Sequence, residues 1–284
     1  MNRVCFSFLI LMAAQAYGGV NVGVTPSFGT DEYSGMNVYG ALSMGGLSLS
    51  PEYRSYSREG SNGRFSALQA RLGYDMRYFG IGAQAGTTIP KNGYSSVFGG
   101  ADFAFTLSPL GDKHIRRIGG GGRGGAPGGK GIARVDFGGG ALITSHQQDA
   151  TNTVPEQKLT QGEIHGFVGA SVVGILASAR VAKFVYNEDL ETRVNLPGIN
   201  WTPIAGHVSY VNNLANTSMN FNLEFPVFPM VRPFADATFT AYEKLRGGIQ
   251  PGDTSAFGFG VRIGLELLSV EGRYRESAHE WEKA

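Results

Sequence analysis

The feature that most constrains this chain is a period of two. From Phe65 to Ile89 it reads FSALQARLGYDMRYFGIGAQAGTTI. Leu68, Ala70, Leu72, Tyr74, Met76 and Tyr78 share one parity, and Gln69, Arg71, Gly73, Asp75 and Arg77 share the other. Successive side chains of a β-strand point to opposite faces, so this is a strand with one apolar and one small or charged side. After Gly80 a second alternation begins, with Ile81, Ala83, Ala85, Thr87 and Ile89 against Gly82, Gln84, Gly86 and Thr88. Two such strands joined by a tight turn have the length and pattern of a membrane-crossing hairpin.

The unit recurs. Val97, Gly99, Ala101, Phe103, Phe105 and Leu107 oppose Asp102, Ala104 and Thr106. Val135, Phe137, Gly139, Ala141 and Ile143 oppose Arg134, Asp136 and Gly138. Ile164, Gly166, Val168, Ala170 and Val172 oppose Glu163, His165, Phe167 and Ser171. Met219, Phe221, Leu223 and Phe225 oppose Asn220, Asn222 and Glu224, and Phe257 to Leu265 alternates with Gly258, Gly260, Arg262, Gly264 and Glu266. Leu176 to Tyr186 is β-like but mixed, with Arg180 and Lys183 on opposite parities, which predicts a bulge. Val208 and Tyr210 read as part of another strand. Gly45-Gly46, Asn92-Gly93, Gly174 and Pro226 to Pro229 mark turns, and His146 to Thr160 reads as a polar loop. The fold class this predicts is all-β: a single closed antiparallel transmembrane β-barrel of about 12–14 strands, at the usual length per strand.

Two stretches stand apart. Met1-Asn2-Arg3 is a basic start, Val4 to Ala14 is apolar apart from Ser7, and Ala14-Gln15-Ala16 is an A-x-A site. Residues 1–16 are therefore expected to be a cleaved signal peptide, and 17–284 the barrel domain. The single Cys, Cys5, lies inside that leader, so the mature chain is expected to lack thiol and disulfide chemistry. Residues 108–131 include GGGGRGGAPGGKG with Lys113, His114, Arg116 and Arg117 nearby, and read as a flexible basic loop. Gly124 to Lys130 matches a phosphate-loop spacing, but Gly131 stands where a Ser or Thr would hold the metal, and a strand follows instead of a helix.

Composition narrows the function classes. Net charge is +1, which gives no electrostatic case for nucleic acid. Charged residues are 17%, below the usual quarter, and they concentrate on one parity of the strands. Arg71, Arg77, Arg134, Arg180, Arg262, Arg273 and Arg275 face Asp75, Asp102, Asp136, Glu163, Glu224, Asp236, Glu266 and Glu271 in near balance. Charges face lipid only at high cost, so these are assigned to the lumen, where balance favours cross-strand pairs over a field of one sign. His165 shares a strand face with Glu163, but Ser171 is too far along the strand to serve it as a nucleophile. No enzyme, cofactor or metal is expected.

This pattern resembles bacterial outer-membrane β-barrel proteins. The likeness is most specific in Asn222-Leu223-Glu224-Phe225-Pro226 leading to Pro233-Phe234-Ala235-Asp236-Ala237, and in Phe257 to Arg262, which look like porin-like and assembly-factor barrels. Such chains usually end on an aromatic residue, whereas this one ends Trp281-Glu282-Lys283-Ala284. The resemblance implies outer-membrane lipid and the barrel-assembly machinery as partners, and small polar solutes if the lumen is open. It leaves three roles: a structural or surface-interaction barrel, a small passive channel, and an outer-membrane lipid hydrolase.

Overall fold

The computed structural model describes residues 18–29, 32–44, 46–57, 64–76, 78–91, 93–107, 133–150, 156–187, 215–225, 231–242, 253–264 and 268–279. The leader, the 108–131 segment and the strand read at Val208 and Tyr210 lie outside the described residues. Among the described residues thirteen strands follow one another: β1 (Gly18–Gly29), β2 (Ser34–Met44), β3 (Leu47–Ser57), β4 (Phe65–Asp75), β5 (Phe79–Thr88), β6 (Tyr94–Leu107), β7 (Ala133–Gln148), β8 (Gln157–Val172), β9 (Ile175–Tyr186), β10 (Ala215–Glu224), β11 (Val231–Tyr242), β12 (Thr254–Gly264) and β13 (Leu268–His279). The chain is all-β over these residues.

Each strand pairs antiparallel with the next in sequence, across short and long connections alike. The order returns to its start, because β1 also pairs with β13. That last ladder is parallel, with Val22 opposite Leu268 and Val24 opposite Val270. A wholly antiparallel sheet is thus corrected at one seam. The reason is arithmetic: in an up-and-down chain of odd strand number the first and last strands run the same way. The register to β13 is interrupted between Val24 and Ser27, the interval holding Pro26, while the register to β2 runs through it. Proline has no N–H to offer a ladder, which accounts for a break on one side only.

The two parities of the strands give the sheet an outer and an inner face. Leu68, Leu72, Ile81, Val97, Phe103, Phe105, Ile143, Ile164, Val168, Phe221, Phe257 and Phe259 are large, apolar and exposed on the outer one. Their rings form rows: Phe79, Phe105 and Phe137 lie side by side on β5, β6 and β7 with centroids 5.0 and 5.6 Å apart. Phe221, Phe239 and Phe257 repeat this on β10, β11 and β12 at 6.2 and 5.7 Å. The inner face buries Thr25, Ser27, Tyr39, Asp102, Thr106, Asp136, His165, Phe167 and Glu224. A water-soluble sheet would have these two faces exchanged.

Three local readings need correction. In the Phe65–Ile89 hairpin the second strand begins at Phe79, ahead of the alternation read after Gly80, with Met76 N–H donating to the Phe79 carbonyl at 2.7 Å. The bulge predicted in Leu176 to Tyr186 is absent. Register from β8 through β9 to β10 is unbroken there, and Lys183 points outward near the end of β9, where its ammonium reaches Asn216. A long amine can sit on an apolar face near the rim because its stem is apolar and its head reaches polar groups. The polar loop after His146 shrinks to 149–156, since β7 runs to Gln148 and β8 begins at Gln157. At the β8–β9 turn Val173 and Gly174 both have positive φ, 49° and 84°. That is the two-residue hairpin geometry whose twist matches the strands, adopted here by a β-branched residue at a steric cost.

Strand direction sorts the connections onto two rims. The ends of β2, β4, β6, β8, β10 and β12 lie at one rim with the starts of β3, β5, β7, β9, β11 and β13, and the ends of β1, β3, β5, β7, β9 and β11 lie at the other with the starts of β2, β4, β6, β8, β10 and β12.

Candidate functional site

The inner face carries a succession of ion pairs, each built by strand parity. On β3, Glu52 and Arg54 are two residues apart and so share a face. Arg54 Nε donates to Glu52 Oε1 at 2.5 Å, and Gln69 Nε2 from β4 donates to the other oxygen at 2.5 Å. Two residues further along β4, Arg71 passes over β5 to reach β6. Its Nε donates to Asp102 Oδ2 at 2.7 Å and its Nη2 to Oδ1 at 2.5 Å, a two-pronged clasp. The strand it crosses presents Gly82, opposite both Gly73 and Asp102. A Cβ at Gly82 would run into the Arg71 guanidinium, so glycine here leaves the arginine room to cross the strand.

Arg134 and Asp136 repeat the two-residue spacing on β7. Nε donates to Oδ1 at 2.9 Å, Nη2 lies 2.8 Å from Oδ2, and the Thr106 hydroxyl on β6 donates to Oδ1 at 2.6 Å. Asp136 is fully buried. Three donors on a buried carboxylate are what make its ionised form tolerable there. On β8 and β9, Glu163 takes the Arg180 guanidinium, and His165 Nδ1 lies 3.0 Å from Glu163 Oε1. On β10 and β11, Arg232 Nη1 lies 3.5 Å from Glu224 Oε1. Inner-face aromatics sit opposite glycines: Tyr39 with Gly23, Phe98 with Gly86, Phe167 with Gly138 and Phe234 with Gly260. The missing side chain on one strand makes room for the ring of the next.

The sequence-derived residues thus divide. Arg71 with Asp102, Arg134 with Asp136, and Glu163 with His165 and Arg180 come together, and Glu224 meets Arg232. Asp75 lies at the end of β4, and Asp236 is half-buried on the inner face of β11. Arg77 and Glu266 lie outside the described residues. For Arg262, Glu271, Arg273 and Arg275 only backbone register is described: Arg262 opposes Glu271, Gly260 opposes Arg273 and Gly258 opposes Arg275.

Two clusters escape the reading of alternation. The first centres on Glu52, which lies between Pro51 and Tyr53 where the strand pattern is blurred by Tyr56 falling on the other parity, so that Gln69 on the small or charged parity of β4 is read without its partner. The second is Tyr94, His146 and Gln161 on β6, β7 and β8. Gln161 Oε1 lies 2.9 Å from His146 Nε2, and the Tyr94 hydroxyl lies 2.8 Å from Nδ1. With the amide oxygen accepting, Nε2 carries the proton and Nδ1 accepts from Tyr94. The signal that could have found this network was parity, continued past the apolar stretch: His146 lies an even number of steps from Arg134 and Asp136.

No family model matches the chain, and no curated protein matches it. Among solved structures, a NanC porin determined in a rhombohedral crystal form aligns over 87% of this chain and 99% of that one, at 10% identity and a TM-score of 0.48. A likeness of that degree carries no argument about solute, partner or mechanism.

Proposed function

We propose that this chain is an integral outer-membrane protein, a closed barrel whose inner face serves as a passive path for small polar solutes. The observation that carries the reading is the inverted wall: exposed Leu, Ile, Val and Phe on the outer face, with ion pairs and hydroxyls on the inner. Only a barrel satisfies strand backbone in a bilayer, and polar interiors are where such barrels conduct. The leader-like start supports export, and lipid with the barrel-assembly machinery are the partners this implies. A structural or surface role is the second reading, and one observation favours it. Asp102, Asp136 and Glu224 are buried although they sit on the inner face, as they would be in a crowded interior. Recording current across a planar bilayer separates the two. Stepwise openings support the path; a folded, inserted protein that never opens at any voltage leaves the structural role. Recovery of the chain from the aqueous periplasmic fraction would overturn both.

A further inference from the structure

We infer that the inner face, balanced in formal charge, presents cation to the water it encloses, so that small anions such as carboxylates, phosphates or sulfates pass in preference to cations. The inference rests on the passage reading above. Its basis is an asymmetry within the ion pairs. Arg54 is 49% exposed over a Glu52 that is 6% exposed. Arg71 is 13% exposed over Asp102 at 2%, and Arg232 is 19% over Glu224 at 5%. Arg134 over Asp136 and Arg180 over Glu163 fall in the same order. In each of these five pairs the guanidinium is the more exposed partner.

Side-chain length accounts for this. A carboxylate on a short stem stays against the wall, where Thr106 and Gln69 complete its hydrogen bonds. Arginine on its long stem lies over the acid and spends one or two of its five N–H groups there, as Arg54, Arg180, Arg71 and Arg134 do. Each pair then acts as a dipole with its positive end toward the lumen, and a solute meets the guanidinium before the carboxylate. Between walls of low dielectric such local fields are focused, so a formal balance does not cancel them. Asp75 and Asp236, half-buried carboxylates of the same face, act in the opposite sense.

The test is the reversal potential of the purified full chain in a planar bilayer under a KCl gradient, for wild type, Arg54→Gln, Arg180→Gln and Glu163→Gln. Wild type is expected to favour chloride. Each Arg→Gln change uncovers an acid and should lower the chloride-to-potassium permeability ratio by about twofold or more, while Glu163→Gln should raise it. Glu163→Gln guards against loss of folding, because it must act in the opposite direction. Openings that favour potassium, or neither ion, overturn the inference and leave the passage reading standing. Chloride preference untouched by all three changes overturns the assignment to these guanidiniums. Absence of openings in wild type overturns the passage reading itself, and this inference with it.

Discussion

The β6–β8 sector and the β13–β1 seam are built from the same kind of strand, yet they are held together very differently. In the sector, register runs unbroken from Tyr94 opposite Gln148 to Leu107 opposite Val135, and from Gln148 opposite Gln157 to Ala133 opposite Val172. Its inner face is tied at two levels, by Thr106–Asp136–Arg134 and by Tyr94–His146–Gln161, and its outer face by stacked Phe105 and Phe137. At the seam the strands are parallel and the ladder is interrupted at Pro26. The sector's ladders are unbroken and backed by side chains on both faces, whereas the seam's ladder lapses at Pro26. An unbroken ladder and an interrupted one should respond to mutation on different scales.

The largest effect is expected from Asp136→Ala. It leaves Arg134 buried without its counter-charge and strips Thr106 of its acceptor. Breaking a buried pair from one side costs about 3–5 kcal/mol. Urea unfolding of protein inserted in lipid vesicles, followed by tryptophan or tyrosine fluorescence, would read this. A loss below about 1 kcal/mol would place Asp136 in the range of surface pairs and erase the contrast with the seam.

Gly82→Ala comes next. The added methyl group competes with the Arg71 guanidinium for the same space, so the Arg71–Asp102 clasp must loosen. A loss of about 1–3 kcal/mol is expected, the usual range for overpacking. The informative comparison is the double variant. If the clash with Arg71 is the whole cost, Arg71→Gln should make Gly82→Ala nearly neutral, a strong non-additivity. Additive losses would mean that Gly82 matters for its backbone alone.

Tyr94→Phe removes one hydroxyl and leaves His146 Nδ1 without that donor. About 1–2 kcal/mol is the expected loss, set by a buried acceptor left unmet. Tyr94 and His146 also bear on what the sequence makes legible. Alternation is clean where the outer face is uniformly apolar, as in Val97 to Leu107 and Met219 to Phe225. Where strands outrun the apolar band, both parities become polar and the period disappears. His146, Gln147 and Gln148 continue β7, yet nothing apolar marks their outward side. The same limit applies to Lys183, whose parity makes sense only once Asn216 is its neighbour. Partners across strands were less legible still. That Arg71 meets Asp102 depends on register and on Gly82 between them, neither of which a single strand reveals. The direction of the seam follows from the strand count, and one strand more or fewer would reverse it.

The smallest effect is expected at the seam itself. Pro26→Ala restores an N–H in the interval where the β1–β13 register lapses, worth about 0.5–1.5 kcal/mol if it finds a carbonyl. Against this, the unfolded chain regains the freedom that proline denied it, about 0.4–1 kcal/mol in the opposite sense. The two nearly cancel, so net stability should move little, and stability alone is a poor probe of this ladder. Covalent trapping is better. Val24 and Val270 are opposite each other, and neighbouring strands lie about 4.7–4.9 Å apart, within the range a disulfide spans. The sequence holds a single cysteine, Cys5, in the leader-like stretch, so Val24→Cys with Val270→Cys introduces the reactive pair almost alone. Oxidation should link the two ends of the inserted protein, seen as a shift in gel mobility reversed by reductant. If the pair fails to link while Val24→Cys with Val38→Cys, opposite on β2, links readily, the strands do not meet at the seam and the parallel closure is wrong.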